Sequence, residues 1–366
     1  MITLKKQRYE PFMTIHNETA HDWPQLLLGW FRTHRRDLPW RTSPRDPYKV
    51  WVSEIMLQQT KVEAVRPYYE NWLDHFPTVA SLASATQEEV LRQWQGLGYY
   101  SRARNLHQAV CEVQARYGGK VPDREKDMLS LKGVGAYTAG AVLSIAYGRP
   151  VPAVDGNVLR IFSRLYLIED NILSAKVKKE VTRLAQDVIP DDAPGDFNEA
   201  LMDLGASICI PRHPRCQECP LVSCCLAHEK GRETELPVRI VKKDKPAVDI
   251  TVLVVSDRQS WLIHRRPAKG LLASMWEFPN AVGKGNAGLD AAREVLKKAG
   301  IRAGSASGPV GTLRHVFSHK VWQMTIYTAP YANGTLLDKE DWQWLPQAGY
   351  TQVPWAGPHG KITAIV

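Results

Sequence analysis

Between Trp23 and Ala227 apolar residues recur at helical spacing almost throughout, in segments separated by Gly- and Pro-marked loops. Within residues 50–65, Val52, Ile55, Met56, Val62 and Val65 form an apolar stripe. That stripe leaves Glu54, Gln58 and Lys61 on another face. Leu106, Val110 and Val113 predict a further helix that takes Cys111 into a core. From His228 the periodicity stops, and HEKGRETELPVRIVKKDK reads as a charged linker. Beyond it the period becomes two. Residues 249–255, 260–264 and 321–328 alternate as strands, the last around Trp322, Met324 and Ile326, and one helical stretch covers 289–298. The pattern predicts a multidomain chain: an all-α domain over 21–227, a linker over 228–247 and an α+β domain over 248–366. Residues 1–20 lack periodicity and are expected to be a disordered extension.

Composition narrows the partners. The chain has 366 residues, enough for two cored domains, and a formal charge of +9, which suits a polyanion such as nucleic acid. The best early apolar run, Leu26-Leu27-Leu28, is too short for a membrane span and precedes Arg32, Arg35 and Arg36. The expectation is a cytoplasmic protein with no membrane partner and with reduced thiols.

Five of the six cysteines, Cys209, Cys216, Cys219, Cys224 and Cys225, fall in one short segment, which reads as metal ligation. Cys209, Cys216, Cys219 and Cys225 make a C-x6-C-x2-C-x5-C quartet that can hold a tetrahedral zinc or an iron–sulfur cluster. With only one CxxC knuckle the spacing favours the cluster, and Cys224 remains an alternative fourth ligand.

Residues 131–160, LKGVGAYTAGAVLSIAYGRPVPAVDGNVLR, carry the candidate chemistry. Gly133-Val134-Gly135 opens a helical pattern, so it is either a tight turn or a cradle whose backbone N–H groups meet a phosphate. Asp155 precedes the next helix as an N-cap, a position that favours the ionised carboxylate. Such a carboxylate can stabilise positive charge developing on a sugar.

The hairpin LKGVGAYTAG, the acid in VPAVDGNV and the cysteine quartet, in this order, resemble the helix-hairpin-helix superfamily of DNA glycosylases that carry a [4Fe–4S] cluster. LPWR, VWVSEIMLQQT, GLGYYSRARNL, FNEALMDLGA and FSH resemble its adenine-specific branch, the MutY-type adenine DNA glycosylases. The resemblance implies base excision repair by a monomer on duplex DNA with adenine opposite 8-oxoguanine or guanine, and one [4Fe–4S] cluster. It also implies the roles of residues. Glu54 would protonate adenine, which requires a pKa raised by burial. Asp155 would stabilise the oxocarbenium-like sugar, aided by Tyr137 and Asn157. Arg41, Leu57 and Glu199 would form the pocket for the flipped base. Gln59, Thr60, Leu97, Tyr99, Gly133, Val134 and Gly135 would meet DNA, and the basic loop with Arg212, His213 and Arg215 would face phosphate. Endonuclease III-type relatives carry a catalytic lysine two residues after GVG, where this chain has Tyr137. Tyrosine forms no Schiff base, so a monofunctional enzyme is implied.

The second domain resembles a Nudix fold that has lost its metal box. Pro279, Gly285 and Lys297-Lys298 stand where the box needs a glycine, a glutamate and a glutamate pair, and only Arg293-Glu294 and Gly300-Ile301 remain. By resemblance Phe317, Ser318 and His319 would recognise 8-oxoguanine. The rival readings are a Nudix pyrophosphohydrolase, a non-catalytic lesion binder, and an iron–sulfur mismatch glycosylase of different base preference.

Overall fold

The computed structural model describes residues 22–240, 245–317 and 319–366, so the extension expected over 1–20 lies outside the described residues. Twelve helices come first: α1 (Trp23–His34), α2 (Pro47–Leu57), α3 (Val62–His75), α4 (Val79–Ser84), α5 (Gln87–Gln93), α6 (Ser101–Tyr117), α7 (Glu125–Ser130), α8 (Ala136–Tyr147), α9 (Gly156–Leu165), α10 (Ala175–Val188), α11 (Pro194–Ser207) and α12 (Leu226–Glu229). Among the described residues, no helix is long and apolar enough to cross a membrane. The chain forms two compact units. Among the described residues, one comprises residues 22–51, 123–130 and 134–240; the other comprises 52–122, 131–133, 245–317 and 319–366.

In the first unit, α1, α9 and α11 share a core in which the Trp23 ring meets Phe162 and Phe197 at centroid distances of 5.7 and 5.6 Å. Small residues allow the close approach of α9 and α11: a Cβ on Gly205 would lie 2.6 Å from Asn157 Cβ. The core continues past the expected boundary. Leu236 is buried, its carbonyl accepts from Arg164 Nε (2.9 Å), and Val238 O accepts from Ile172 N (3.0 Å). The charged stretch expected to be a linker is therefore anchored to the helices as far as Ile240. Its few apolar residues are too sparse to show a period, yet they dock individually.

In the second unit the helical reading of residues 50–65 needs correction. The segment is two helices, because α2 ends at Leu57, Gln59 takes a left-handed backbone (φ 58°), and α3 starts at Val62. Residues 50–56 are buried all round, so Glu54 faces no solvent.

The C-terminal part contains β1 (Ala247–Asp257), β2 (Ser260–Arg265), β3 (Trp276–Glu277), β4 (Asn280–Val282), α13 (Gly285–Lys298), β5 (Ile301–Ala303), β6 (Ser307–Val316), β7 (Val321–Gly334), β8 (Trp342–Pro346) and α14 (Gly357–Gly360). The sheet order is β3-β2-β1-β7-β5, with β4 on β1, β6 on β7 and β8 on β2. β1 and β7 run parallel in continuous register from Ala247↔Val321 to Ser256↔Pro330. Alternation along β1 feeds two cores: Val252 and Val254 join Met324, Ile326 and Phe278, while Leu253 and Val255 join Ala292 and Leu296 of α13. The architecture is thus an all-α part followed by an α+β part.

Candidate active site and DNA interface

The hairpin between α7 and α8 turns at Gly133, whose φ of 76° favours glycine, and a Cβ there would come within 2.6 Å of Asn105 Cβ. Gly135 caps α8 with no side-chain hydrogen bond. Gly133 and Gly135 are exposed, whereas the Val134 side chain is buried, so this loop offers backbone rather than side chain.

Asp155 is the N-cap of α9. Its Oδ1 accepts from the backbone N–H groups of Asn157 and Val158, both at 2.8 Å, and its Oδ2 accepts from Asn157 Nδ2 at 2.8 Å. Asn157 Oδ1 in turn accepts from Arg160 Nη2 (2.9 Å), which also donates to Gly205 O (2.8 Å), while Arg160 Nε donates to Cys209 O (2.7 Å). Burial pushes the Asp155 carboxyl above the ordinary aspartate value, against the opposing pull of the helix amides and Arg160. Tyr137, on the first turn of α8, is half-buried, with its Oη 3.9 Å from Met202 Sδ.

Glu54 is 3% exposed on α2, and Leu57, half-buried, ends that helix. Arg41 and Glu199 belong to a buried ion-pair network. Arg41 Nε donates to Glu199 Oε1 (3.0 Å), Arg45 Nη2 to Glu199 Oε2 (2.6 Å), and Arg41 Nη1 to Asp203 Oδ2 (2.7 Å). Arg36 reaches Asp203 Oδ1 at 2.6 Å. Sequence reading passed over Asp203, Arg36 and Arg45. The i, i+4 spacing of Glu199 and Asp203 on α11 was the available signal, since it places both carboxylates on one helix face. Burial pushes the Glu199 carboxyl up, opposed by Arg41 and Arg45.

Two loops place side chains at the surface through left-handed backbone: Gln59 (φ 58°) and Tyr99 (φ 47°), the latter 50% exposed. Thr60 Oγ1, also expected at DNA, accepts from Arg102 Nη2 at 3.2 Å. Leu97, expected to meet DNA, is buried, because its side chain completes the core beneath the loop. Arg215, expected to face phosphate, donates through Nη2 to Ser207 O (2.7 Å) and pairs with Glu218 (3.1 Å).

None of the six cysteines forms a disulfide. Burial first, and then the neighbouring cysteines, push Cys219 up to about 12 and Cys225 up to about 11. Cys216 is raised by burial, Glu233 and Cys209. Cys224 is raised by burial with no cysteine contributing, and its Sγ donates to Leu221 O (3.3 Å). Cys209, Cys225 and Cys216 thus contribute to raising Cys219, and no cysteine contributes to raising Cys224. Arg164 Nη1 donates to Cys209 Sγ at 3.2 Å. Sulfur of Cys216 also lies within 4.8 Å of ligand atoms of His228 and Glu233.

In the C-terminal part, Glu294 is exposed and pairs with Lys297 (3.5 Å) on α13, so the remnant of the Nudix box offers a single solvated carboxylate. Phe317 N donates to Lys320 O (2.9 Å) and closes the β6–β7 turn. The Phe317 ring stands edge-on to His315 (4.5 Å) and to Trp322 (5.0 Å), half-buried against the core, while His319 is exposed. Ser318 lies outside the described residues.

Residues 52–191 match the model of the HhH-GPD superfamily of base excision DNA repair proteins, and residues 250–364 match a NUDIX domain. Adenine DNA glycosylase of Rattus norvegicus is 34% identical over 377 residues, covering 87% of this chain and 72% of that protein. Adenine DNA glycosylase of Buchnera aphidicola is 33% identical, covering 82% of this chain and 85% of that one. The Arabidopsis thaliana protein of the same name is 38% identical, but the match spans 47% of its length. Among solved structures, a thermostable thymine-DNA glycosylase superposes with TM-score 0.53 at 32% identity, covering 58% of this chain and 98% of that one. A helical part ending in a cysteine-rich loop, followed by a Nudix-like part without its metal box, is matched along most of the chain by these curated relatives, and the chain belongs to the adenine DNA glycosylases.

Proposed function

We propose that this chain is a monofunctional glycosylase that excises adenine opposite 8-oxoguanine, or guanine, from duplex DNA by hydrolysis, leaving an abasic site. The observation that carries this reading is a pair of carboxylates with different environments: Glu54 is 3% exposed, and Asp155 is held by two helix N–H groups and an amide. Adenine leaves poorly as an anion. Glu54, shielded from bulk water, protonates the flipped base as the glycosidic bond lengthens. Asp155, oriented by Asn157, stabilises the positive sugar until water attacks. Tyr137 stands where a Schiff-base lysine would be needed for strand cleavage, and its phenol supports none. The exposed backbone at Gly133 and Gly135 suits a phosphate, and Phe317, Ser318 and His319 would read the opposite base.

The Arg164 guanidinium, which donates to Cys209 Sγ at 3.2 Å, suits a thiolate at that position. Cys209, Cys216, Cys219 and Cys225 would hold a [4Fe–4S] cluster, which when bound supplies cross-links that rigidify the 209–225 loop.

The test is single-turnover excision on a duplex with one adenine opposite 8-oxoguanine, with strands resolved before and after alkali. Strand breaks seen only after alkali, and absent for Glu54→Gln and Asp155→Asn, are expected. The likeness to a thymine-DNA glycosylase favours one competing reading, and excision of thymine opposite guanine instead of adenine would establish it.

A further inference from the structure

Arg102 occupies a costly place. It is 9% exposed and sits on the first turn of α6, where the helix N-terminus disfavours a cation. No carboxylate is among its hydrogen-bond partners in the described residues; all are neutral oxygens, and burial lowers its pKa to about 10. Nη1 donates to the carbonyls of Ile55 (2.9 Å), Met56 (2.8 Å) and Gln58 (2.6 Å). Nη2 donates to Thr60 Oγ1, Leu97 O and Gly98 O, each at 3.2 Å. Four N–H bonds therefore serve six oxygens, two on the last turn of α2 and the others on two separate loops, and the group lies over the Trp94 ring at 5.1 Å and the Tyr99 ring at 5.7 Å. Nε is buried without a hydrogen bond.

The two loops are the ones that turn Gln59 and Tyr99 outward by left-handed backbone, a conformation that is unfavourable for non-glycine residues and persists only where surroundings hold it. The first loop ends α2, whose last carbonyls attract a cation. We propose that Arg102 is a positioning residue: one buried guanidinium ties the Gln58–Thr60 and Leu97–Tyr99 loops into a single rigid probe that displaces the target adenine from the stack. The inference rests on the reading of Gln59 and Tyr99 as the residues that enter the duplex. Lysine cannot substitute, since three donors on a point charge do not span both loops.

The experiment compares Arg102→Lys, Thr60→Val and Tyr99→Ala on two duplexes, one with adenine opposite 8-oxoguanine and one with adenine opposite a tetrahydrofuran abasic analogue, where the base is already unpaired. Thermal melting of each variant is recorded, and Thr60→Val supplies a milder loosening if Arg102→Lys does not accumulate folded. Arg102→Lys, or Thr60→Val in its place, should lose about tenfold or more in single-turnover rate on the paired duplex and less than about threefold on the unpaired one. Equal losses on both duplexes, or no loss on either, would overturn the inference. Tyr99→Ala separates the two levels: without a paired-duplex defect in that variant, the reading of Tyr99 as a probe fails. A defect there with none in Arg102→Lys and Thr60→Val means that the positioning role alone fails.

Discussion

Asn157 holds Asp155 from two directions: its backbone N–H donates to Oδ1 and its side-chain amide donates to Oδ2, both at 2.8 Å. A carboxylate with both oxygens engaged has one orientation, and that orientation is set before any substrate arrives. Arg160 extends the same series of hydrogen bonds to the carbonyl of Cys209. The acid and the first residue of the cysteine loop are therefore braced by the same two side chains.

Because asparagine caps helices about as well as aspartate, Asp155→Asn should separate chemistry from folding. Single-turnover excision should fall by about 10³-fold or more, while unfolding free energy changes by less than about 1 kcal/mol. A large stability loss with residual activity would assign Asp155 a capping role alone.

Gly205 touches neither acid, yet a methyl group there would meet Asn157 Cβ at 2.6 Å and Arg160 Nη2 at 3.3 Å. Gly205→Ala should destabilise the protein by about 1–3 kcal/mol through overpacking and slow excision by displacing Asn157. Denaturant unfolding and single-turnover assays measure the two effects. Full activity in the variant would show that Asn157 need not hold its position.

Burial raises the Asp155 carboxyl above its unfolded value of 3.8, and the consequences for activity and stability have opposite signs. Excision, which needs the carboxylate, should rise with pH along an acid limb lying above 3.8. Stability linked to the neutral form is fully present below 3.8 and is lost as pH rises through the folded value. Wild type should therefore lose stability relative to Asp155→Asn across the same window. Unfolding of both proteins at several pH values checks this, and a difference independent of pH would contradict it.

Cys225→Ser should abolish visible iron–sulfur absorption and bound iron, whereas Cys224→Ser should retain both, since Cys225 completes the C-x6-C-x2-C-x5-C spacing. Iron analysis of the purified variants decides between the adjacent residues.

Arg41→Met removes the shared partner of two buried carboxylates, Glu199 and Asp203. Breaking such a network costs about 3–5 kcal/mol, so the variant should unfold at markedly lower denaturant concentration. Little change would mean that Arg45 and Arg36 alone satisfy both acids.

The sequence by itself determined the parts that depend on near neighbours. Helical periodicity, the Asp155 cap, the Gly133 turn and the alternation of Trp322, Met324 and Ile326 are local, and each is found where its pattern lies. Strand β5, of three residues, is too short to show a period, and β6 was not legible because Ser307–Val316 carries Gly308, Pro309 and Gly311 in place of a clear alternation. The stripe over 50–65 misled for a related reason: the break at Gln59 is held by Arg102, whose carbonyl partner Ile55 is 47 residues away, and no local residue announces it. Only the tertiary structure decided that Glu54 is buried, that the charged stretch to Ile240 is docked, and that Arg41 reaches Asp203 across 162 residues of chain. Burial and ion pairing are set by which distant segments pack together, and a pattern read over a few turns of chain contains no record of that.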